Sequence, residues 1–397
     1  MRVVVQKFGG TSVASPEARK MVLKHVIRTK EEGYFPVVVV SAIGRKGDPY
    51  ATDTLISLLD EVEGEVPARE KDLIMSCGEI ISAVLMAALL NGKGYRAKAF
   101  TGGQAGIITD DNFGNAMIKE VKIDSLLNAI KQDYIPVIAG FQGMTEGGDI
   151  TTLGRGGSDT TAVALGAALG AEYVDIFTDV EGIMTADPRI VKRARILDTV
   201  TYREVAEMAY NGAKVIHPRA VEIAMQRNIP LRVRSTFCDS PGTLITCTPE
   251  WIPERLITGI THISNIAQVI IKVTPGDKDS EIKVFRILAE AGISIDLINV
   301  FPELKMFTIS EELVEKTIEE LEKIGITPKV RRGLTKVTVV GAGMRGVPGV
   351  MARIVEALRR ENIEILQTAD SHTTISCLVR SEDAERAMIV LHEEFEL

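Results

Sequence analysis

The sequence predicts an α/β protein in which a parallel sheet lies between layers of helices and is followed by two small α+β units. Three observations predict it. First, Val3-Val4-Val5 and Pro36-Val37-Val38-Val39-Val40 are apolar runs rich in β-branched residues. Continuous apolar runs, unlike alternating ones, mark strands covered on both faces, the habit of parallel sheets. Second, glycine and polar residues stand just after these runs, at the carboxyl edge where open α/β sheets bind ligands. Third, a strand–loop–helix–strand pattern occurs twice near the end of the chain, at Val269 and again at Val337, which reads as duplication of one unit.

The length, 397 residues, allows two or three domains. A net charge of −8 argues against nucleic acid and anionic membrane as partners. Cys77, Cys238, Cys247 and Cys377 form no CxxC pair and read as reduced cysteines of a cytoplasmic protein, with no disulfide frame and no metal-ligand cluster. The chain opens directly on a strand, so no signal peptide is expected. The longest apolar helical stretch, Ile80 to Leu90, is expected to be too short to cross a bilayer.

In order, strand Val3-Val4-Val5 leads to Lys7-Phe8-Gly9-Gly10-Thr11-Ser12, a glycine turn, and then a helix from Glu17 to Thr29 behind Pro16. A lysine at the end of a buried strand, beside two glycines, can reach a phosphate cradled by the backbone; strand-end lysines are also common on plain surfaces. The pattern GxxxxGK[ST] is missing, so no Walker-type site is expected. The second strand ends at Ser41-Ala42-Ile43-Gly44. Arg45 to Asp53 is a polar loop carrying Thr52 and Asp53, with a helix from Thr54 to Glu61 after it. Asp72 to Leu90 is helical and places Glu79 beside a strongly apolar face. A buried carboxylate needs a partner, either a ligand ammonium or an internal Lys or Arg.

Thr101 to Gly106 is a glycine turn, and Ile135 to Gly143 is a strand plus turn. The densest polar stretch follows: Thr151-Thr152-Leu153-Gly154-Arg155-Gly156-Gly157-Ser158-Asp159-Thr160-Thr161, then the apolar run Ala162 to Leu169. A glycine turn opening into a helix offers bare N–H groups and the positive end of the helix dipole to an anion. Arg155 adds a planar fork that can grip a carboxylate. Ser158, Asp159 or Thr160 is expected to cap the helix.

Val174 to Thr178 is a strand. The polar loop after it, through Asp187-Pro188-Arg189, can hold a ribose or a hydrated metal, with Arg189 on a phosphate, but taken alone it reads as a capped turn. Thr201 to Gly212 reads as a helix, Lys214 to Ala220 opens another, and His217 before Pro218 reads as a structural hydrogen-bonding residue. Leu231-Arg232-Val233-Arg234-Ser235 alternates and predicts a half-buried edge strand. Pro249 to Pro253, with the only tryptophan, reads as a linker.

Motif by motif, Lys7 to Val13, Thr151 to Thr161, Thr178-Asp179-Val180-Glu181-Gly182 with Thr185-Ala186-Asp187-Pro188-Arg189, and Gly212-Ala213-Lys214 resemble the aspartate kinase (aspartokinase) family, in that family's order. The resemblance implies the amino-acid-kinase (carbamate-kinase-like) fold, an αβα sandwich, over 1–246, a linker at 247–261, and ACT-like domains at 262–331 and 332–397. It implies transfer of the γ-phosphate of ATP, with Mg²⁺, to the side-chain carboxylate of L-aspartate, the first step toward lysine, diaminopimelate, methionine and threonine. Lys7, Gly9, Gly10 and Ser41 would surround the phosphates, and Thr178, Asp179, Met184, Arg189 and Lys214 would line the nucleotide pocket. Thr52, Glu79, Arg155 and Ser158 would hold aspartate, and Asp159 would orient the catalytic Lys7. The paired ACT-like units imply an amino-acid effector and a homo-oligomer, a dimer or larger. The last strand, Gln367 to Thr374, resembles the diaminopimelate-responsive subtype.

A carboxylate nucleophile is already ionised at neutral pH, so this chemistry needs positioning and charge neutralisation and no general base. Two alternatives stay open on sequence: an amino-acid-binding regulator without activity, and a kinase of the same fold acting on glutamate or a nucleotide.

Overall fold

The computed structural model describes residues 1–247, 255–272 and 278–397, the side chains of 278–281 excepted. Residues 248–254 of the expected linker, with its tryptophan, and residue 273 at the end of an expected strand lie outside the described residues. The chain forms two compact units. The first is Met1–Ile183, Ile196–Ala209 and Lys214–Pro253; the second is Met184–Arg195, Tyr210–Ala213 and Glu254–Leu397.

The strands of the first unit are β1 (Val3–Phe8), β2 (Phe35–Val40), β3 (Ala97–Phe100), β4 (Ile107–Thr109), β5 (Ile118–Val121), β6 (Ile135–Ala139), β7 (Gln142–Met144), β8 (Ile150–Thr152), β9 (Val174–Thr178), β10 (Thr199–Thr201), β11 (Leu231–Ser235) and β12 (Thr243–Thr246). Eight of them make one sheet in the order β10-β12-β11-β9-β1-β2-β6-β3. All neighbours in it are parallel except β11 with β12. The valine runs of β1 and β2 are at most 2% exposed, as a doubly covered parallel sheet requires. Helices Pro16–Glu31 and Ala68–Asn91 bury Val22, Val26, Met86 and Leu90 with Phe8, Val38 and Val40 on one face. On the other face, helix Gly157–Leu169 meets β1 and β9, where Gly166 has no Cβ to strike Val174.

Two expectations are corrected here. Helix Ala68–Asn91 has 24 residues, so by length and hydropathy it could span a bilayer. Its length was hidden because its first turns are charged; in the fold it is a core helix, with Ala83, Met86, Ala87 and Leu90 packed on the sheet. Strand β11 is interior rather than an edge strand, paired on both sides. Its alternation arises because Arg232 forks onto the buried Asp175 carboxylate at 2.7 and 2.9 Å and lies 3.7 Å over the Tyr173 ring. Paired guanidinium groups can occupy a sheet face that polar alternation alone would assign to solvent.

The second unit is built on one antiparallel sheet of β13 (Gly259–Lys272), β14 (Asp296–Val300), β15 (Leu304–Ser310), β16 (Lys329–Val340), β17 (Gln367–Asp370) and β18 (Thr374–Arg380). Its order, β14-β15-β13-β16-β18-β17, is symmetric about the β13–β16 pair. Helices Lys278–Glu290 and Val314–Glu322 belong to the first repeat, and Val350–Arg360 and Ala384–Glu394 to the second. The duplication expected at Val269 and Val337 is thus real, and each repeat is strand–helix–strand–strand–helix. Strand β13 begins at Gly259, inside the stretch expected to be linker.

Candidate active site

The carboxyl ends of β2, β1 and β9 lie side by side, with Phe8 level with both Val40 and Phe177. Beside them an open cleft of about 280 Å³ is lined by Lys7 and Gly10, the loop after β2 from Ser41 to Lys46, Ala51 to Asp53, Glu79, Phe141 and the stretch Gly154 to Asp159. Six stretches of sequence therefore meet at one cleft.

Lys7 is the last residue but one of β1, and its Nζ lies 2.7 Å from Asp159 Oδ1. The other Asp159 oxygen accepts the His217 N–H at 3.3 Å, so both oxygens are engaged. Burial, with nearby Arg155 and Arg219, holds the His217 imidazole below its usual pKa. Its Nδ1 accepts from Arg219 N, the structural role expected for it. Ser158 and Ser41 share a hydroxyl hydrogen bond at 3.0 Å.

The glycines of this region are there for space. A Cβ on Gly10 would lie 2.6 Å from Gly44 O and 2.9 Å from Ala42 O. Gly156 has φ +70°, and a Cβ there would lie 2.2 Å from the His217 ring. That residue is also the N-cap of helix Gly157–Leu169, with no side-chain cap. The capping expected from Ser158, Asp159 or Thr160 is therefore not made. Ser158 bonds to Ser41, Asp159 to Lys7, and the Thr160 hydroxyl donates to Gly156 O. The helix starts at Gly157, so all three stand past the cap position, and its positive end is left without a side-chain cap.

Glu79 is 3% exposed. Its Oε1 accepts the Ala42 N–H at 3.1 Å, and its buried Oε2 has no hydrogen bond of good geometry. Burial pushes its carboxyl pKa up to about 8, partly opposed by hydrogen bonds from Ala42 N–H and Thr52. Thr52 opens the helix Thr52–Ser57. Arg155 is exposed and has no ion-pair partner among the described residues. Of the sequence-predicted residues, Lys7, Gly10, Ser41, Thr52, Glu79, Arg155, Ser158 and Asp159 all line this cleft. Gly9 stands beside it, its missing Cβ 3.6 Å from Lys7 Nζ.

The remaining predicted residues do not line it. Thr178 donates to Asp179, and Asp179 is held by Arg45 at 2.7 Å. Met184 and Arg189 lie in the second unit. The Arg189 guanidinium is folded onto Asp187 at 2.6 Å and holds that carboxyl below its usual range. Lys214 is exposed in the first unit.

The sequence resembles known proteins along its whole length. The model of the amino acid kinase family matches residues 2–235, and an ACT domain model matches 329–393. Aspartokinase 1 of Bacillus subtilis (strain 168) is 50% identical over 402 residues, with all of both chains covered. The chain belongs to the aspartokinase family. In solved structures, E. coli aspartokinase III in complex with aspartate and ADP (R-state) superposes with a TM-score of 0.81 at 28% identity over all of both chains. The same enzyme with lysine and aspartate (T-state) gives 0.80 at 28% identity, over 99% of both chains.

Sequence reasoning gave no role to three residues of this family member. Asp72, fully buried, accepts from Gly114 N, Thr152 N and the Thr152 hydroxyl at 2.7 to 2.9 Å. It ties helix Ala68–Asn91 to β8, the strand that feeds the glycine stretch. Its signal was the helical spacing Asp72, Ser76, Glu79, one buried stripe of polar residues. Arg45 and Lys46 line the cleft from a loop whose composition suggested only a turn.

Proposed function

We infer that this chain transfers the γ-phosphoryl group of ATP to the β-carboxylate of L-aspartate, giving 4-phospho-L-aspartate and ADP. One observation carries the reading: a lysine held by a carboxylate, an uncommitted arginine and a buried glutamate with an unpartnered oxygen all border one cleft. The three groups match the three charges to be managed. Lys7, steadied by Asp159, meets the transferring phosphate, with Gly9, Gly10 and Ser41 around it. Arg155 grips the α-carboxylate, assisted by Ser158. Glu79, beside Thr52, receives the ammonium, which supplies the missing partner and draws its proton away.

In-line attack then needs only that the β-carboxylate and γ-phosphorus be held close and their repulsion be cancelled. The acidic lining of the cleft is Asp53, Glu79 and Asp159, and no group of three metal-binding side chains occurs among the described residues. That fits an ion that keeps its waters and is carried in on phosphate, with Asp53 the free carboxylate nearby. When bound, Mg²⁺ supplies charge neutralisation across the β- and γ-phosphates. Thr178 and Asp179 lie at the end of β9, at the same sheet edge, and serve the nucleoside end.

On this reading the first unit is the catalytic domain, and the two repeats, beginning at β13 and at β16, are two ACT-like domains. These bind an amino-acid effector and pair copies of the chain into a dimer or larger. The symmetric six-stranded sheet supports that assignment. Four free cysteines are consistent with a cytoplasmic enzyme.

The test is acceptor choice. ADP release with L-aspartate should exceed that with L-glutamate by at least about 100-fold, since a longer side chain misplaces the attacking oxygen. Equal rates would sink the assignment.

A further inference from the structure

The loop after β2 carries a cation that nothing above uses. Its base is rigid. Gly44 N donates to Gly10 O at 3.2 Å, Ala42 N to Glu79, and Arg45 N to Asp48 Oδ2 at 2.8 Å. Gly44 has φ +85°, and the Asp48 carboxylate fills the space where its Cβ would stand. From this fixed backbone the Arg45 side chain reaches out, 72% exposed, to Asp179 at 2.7 Å, itself 43% exposed.

The topology makes that ion pair unusual. Arg45 follows β2 and Asp179 follows β9, and β1 lies between those two strands. The pair therefore links the two strands that flank β1, some two strand spacings or about 10 Å apart. The end of β1 is where Lys7 and the Gly9-Gly10 turn lie. Arg45 lines the same cleft as Lys7, so an anion drawn to Lys7 meets Arg45 with the Asp179 carboxylate already on it. With the pair closed, Arg45 is neutralised and Asp179 opposes the anion. With it open, Arg45 is a second cation facing the first. An exposed pair is weak and screened, whereas a guanidinium on a phosphate makes two charge-assisted hydrogen bonds.

We propose that Arg45 is a phosphate-binding residue that changes partner, releasing Asp179 and gripping the triphosphate when nucleotide enters. This rests on the kinase reading and adds to it a residue and a motion: the side chain swings while the loop stays. The alternative role, a strap that merely steadies two loops, makes the opposite prediction for the acidic partner.

The experiment uses the full chain and inorganic tripolyphosphate, which has no ribose or base to touch Asp179. Binding is read by calorimetry for wild type, Arg45→Ala, Arg45→Lys and Asp179→Asn at low and high salt. Partner exchange predicts that Arg45→Ala weakens tripolyphosphate about 10-fold and flattens its salt dependence, with Arg45→Lys in between. It also predicts that Asp179→Asn tightens binding by about 3-fold, because the competitor for the guanidinium is gone. Unchanged binding in Arg45→Ala overturns the proposal. So does Asp179→Asn weakening binding alongside Arg45→Ala, as a strap requires. Aspartate-dependent ADP release by the wild type, measured on the same preparation, tests the kinase reading separately: its loss would remove that reading while tripolyphosphate binding still reports on Arg45.

Discussion

Lys7 Nζ stands 2.7 Å from Asp159 Oδ1, and each side chain is close to nine-tenths buried. The strand end of β1 and the first turn of helix Gly157–Leu169 are thus joined by an ion pair at the cleft wall. A lysine so held is aimed without being free to fold onto the surface, and the charge it keeps is available to a phosphate.

Replacing Lys7 by Ala should lower kcat about 10²–10³-fold, the scale for losing one preorganised charge contact. Asp159 keeps its bond from His217 N–H, so the variant should fold. Steady-state kinetics beside a thermal melt checks both halves, and near-normal turnover would show that Lys7 has no role in transfer.

Arg155→Ala should raise the KM for aspartate by about 10–100-fold while the KM for ATP stays within about 2-fold. The guanidinium is exposed and uncommitted, so its loss should leave the melting temperature unchanged. Parallel rises in both KM values would argue against a carboxylate clamp.

Burial holds the Glu79 carboxyl protonated up to about pH 8, against 4.5 for a free side chain. The folded state therefore keeps a proton that the unfolded chain has given up. The stability this contributes is complete below about pH 4.5 and is lost as pH rises through about 8. Glu79→Gln lacks the titration. Its stability relative to wild type should climb between pH 5 and pH 8, by on the order of 2–4 kcal/mol. Since the ammonium is bound by the ionised form, the wild-type KM for aspartate should fall over pH 6–8 and that of Glu79→Gln should not. Denaturant melts and kinetics at several pH values read the two effects, and a flat wild-type profile would remove Glu79 from the ammonium site.

Residues 184–195 are continuous in sequence with the loop after β9 yet belong to the core of the second unit. Ala186 and Val191 are buried with Ile260, Val339, Ile354 and Leu391, and Thr185 Oγ1 lies 2.9 Å from His392 Nε2. A chain cut after residue 246 should therefore melt at least about 5 °C lower or aggregate, rather than behave as a free catalytic domain. Thr185→Val, which leaves the buried His392 nitrogen without this partner, should cost about 1–3 kcal/mol. Scanning calorimetry decides, and a truncated chain as stable as the whole would show that segment 184–195 does not depend on the second unit's core.

How much of this was legible depended on whether the signal was local. The valine runs of β1 and β2 announced a doubly covered sheet because burial on both faces acts on every residue of a strand. The stretch Gly154 to Asp159 announced a cleft wall because glycine, arginine and hydroxyls stand together there. The uncapped helix was not legible. Ser158 and Asp159 are good caps by type, but the helix starts before them, at Gly157, and their side chains meet Ser41 and Lys7, distant in sequence. Nor was the interior place of β11, whose arginines are balanced by Asp175 on another strand. The membership of 184–195 in the second unit rests on apolar contacts made after residue 254, and Arg45 matters only because β1 separates β2 from β9. Each miss is a long-range pairing that a linear pattern cannot carry.

The central claim is that this cleft puts phosphate on the side chain of aspartate. Incubating the full chain with ATP, Mg²⁺, L-aspartate and hydroxylamine traps an acyl phosphate as its hydroxamate. The account predicts aspartyl hydroxamate in step with ADP, lost in Lys7→Ala; ADP release without hydroxamate, or hydroxamate formed equally from L-glutamate, would contradict it.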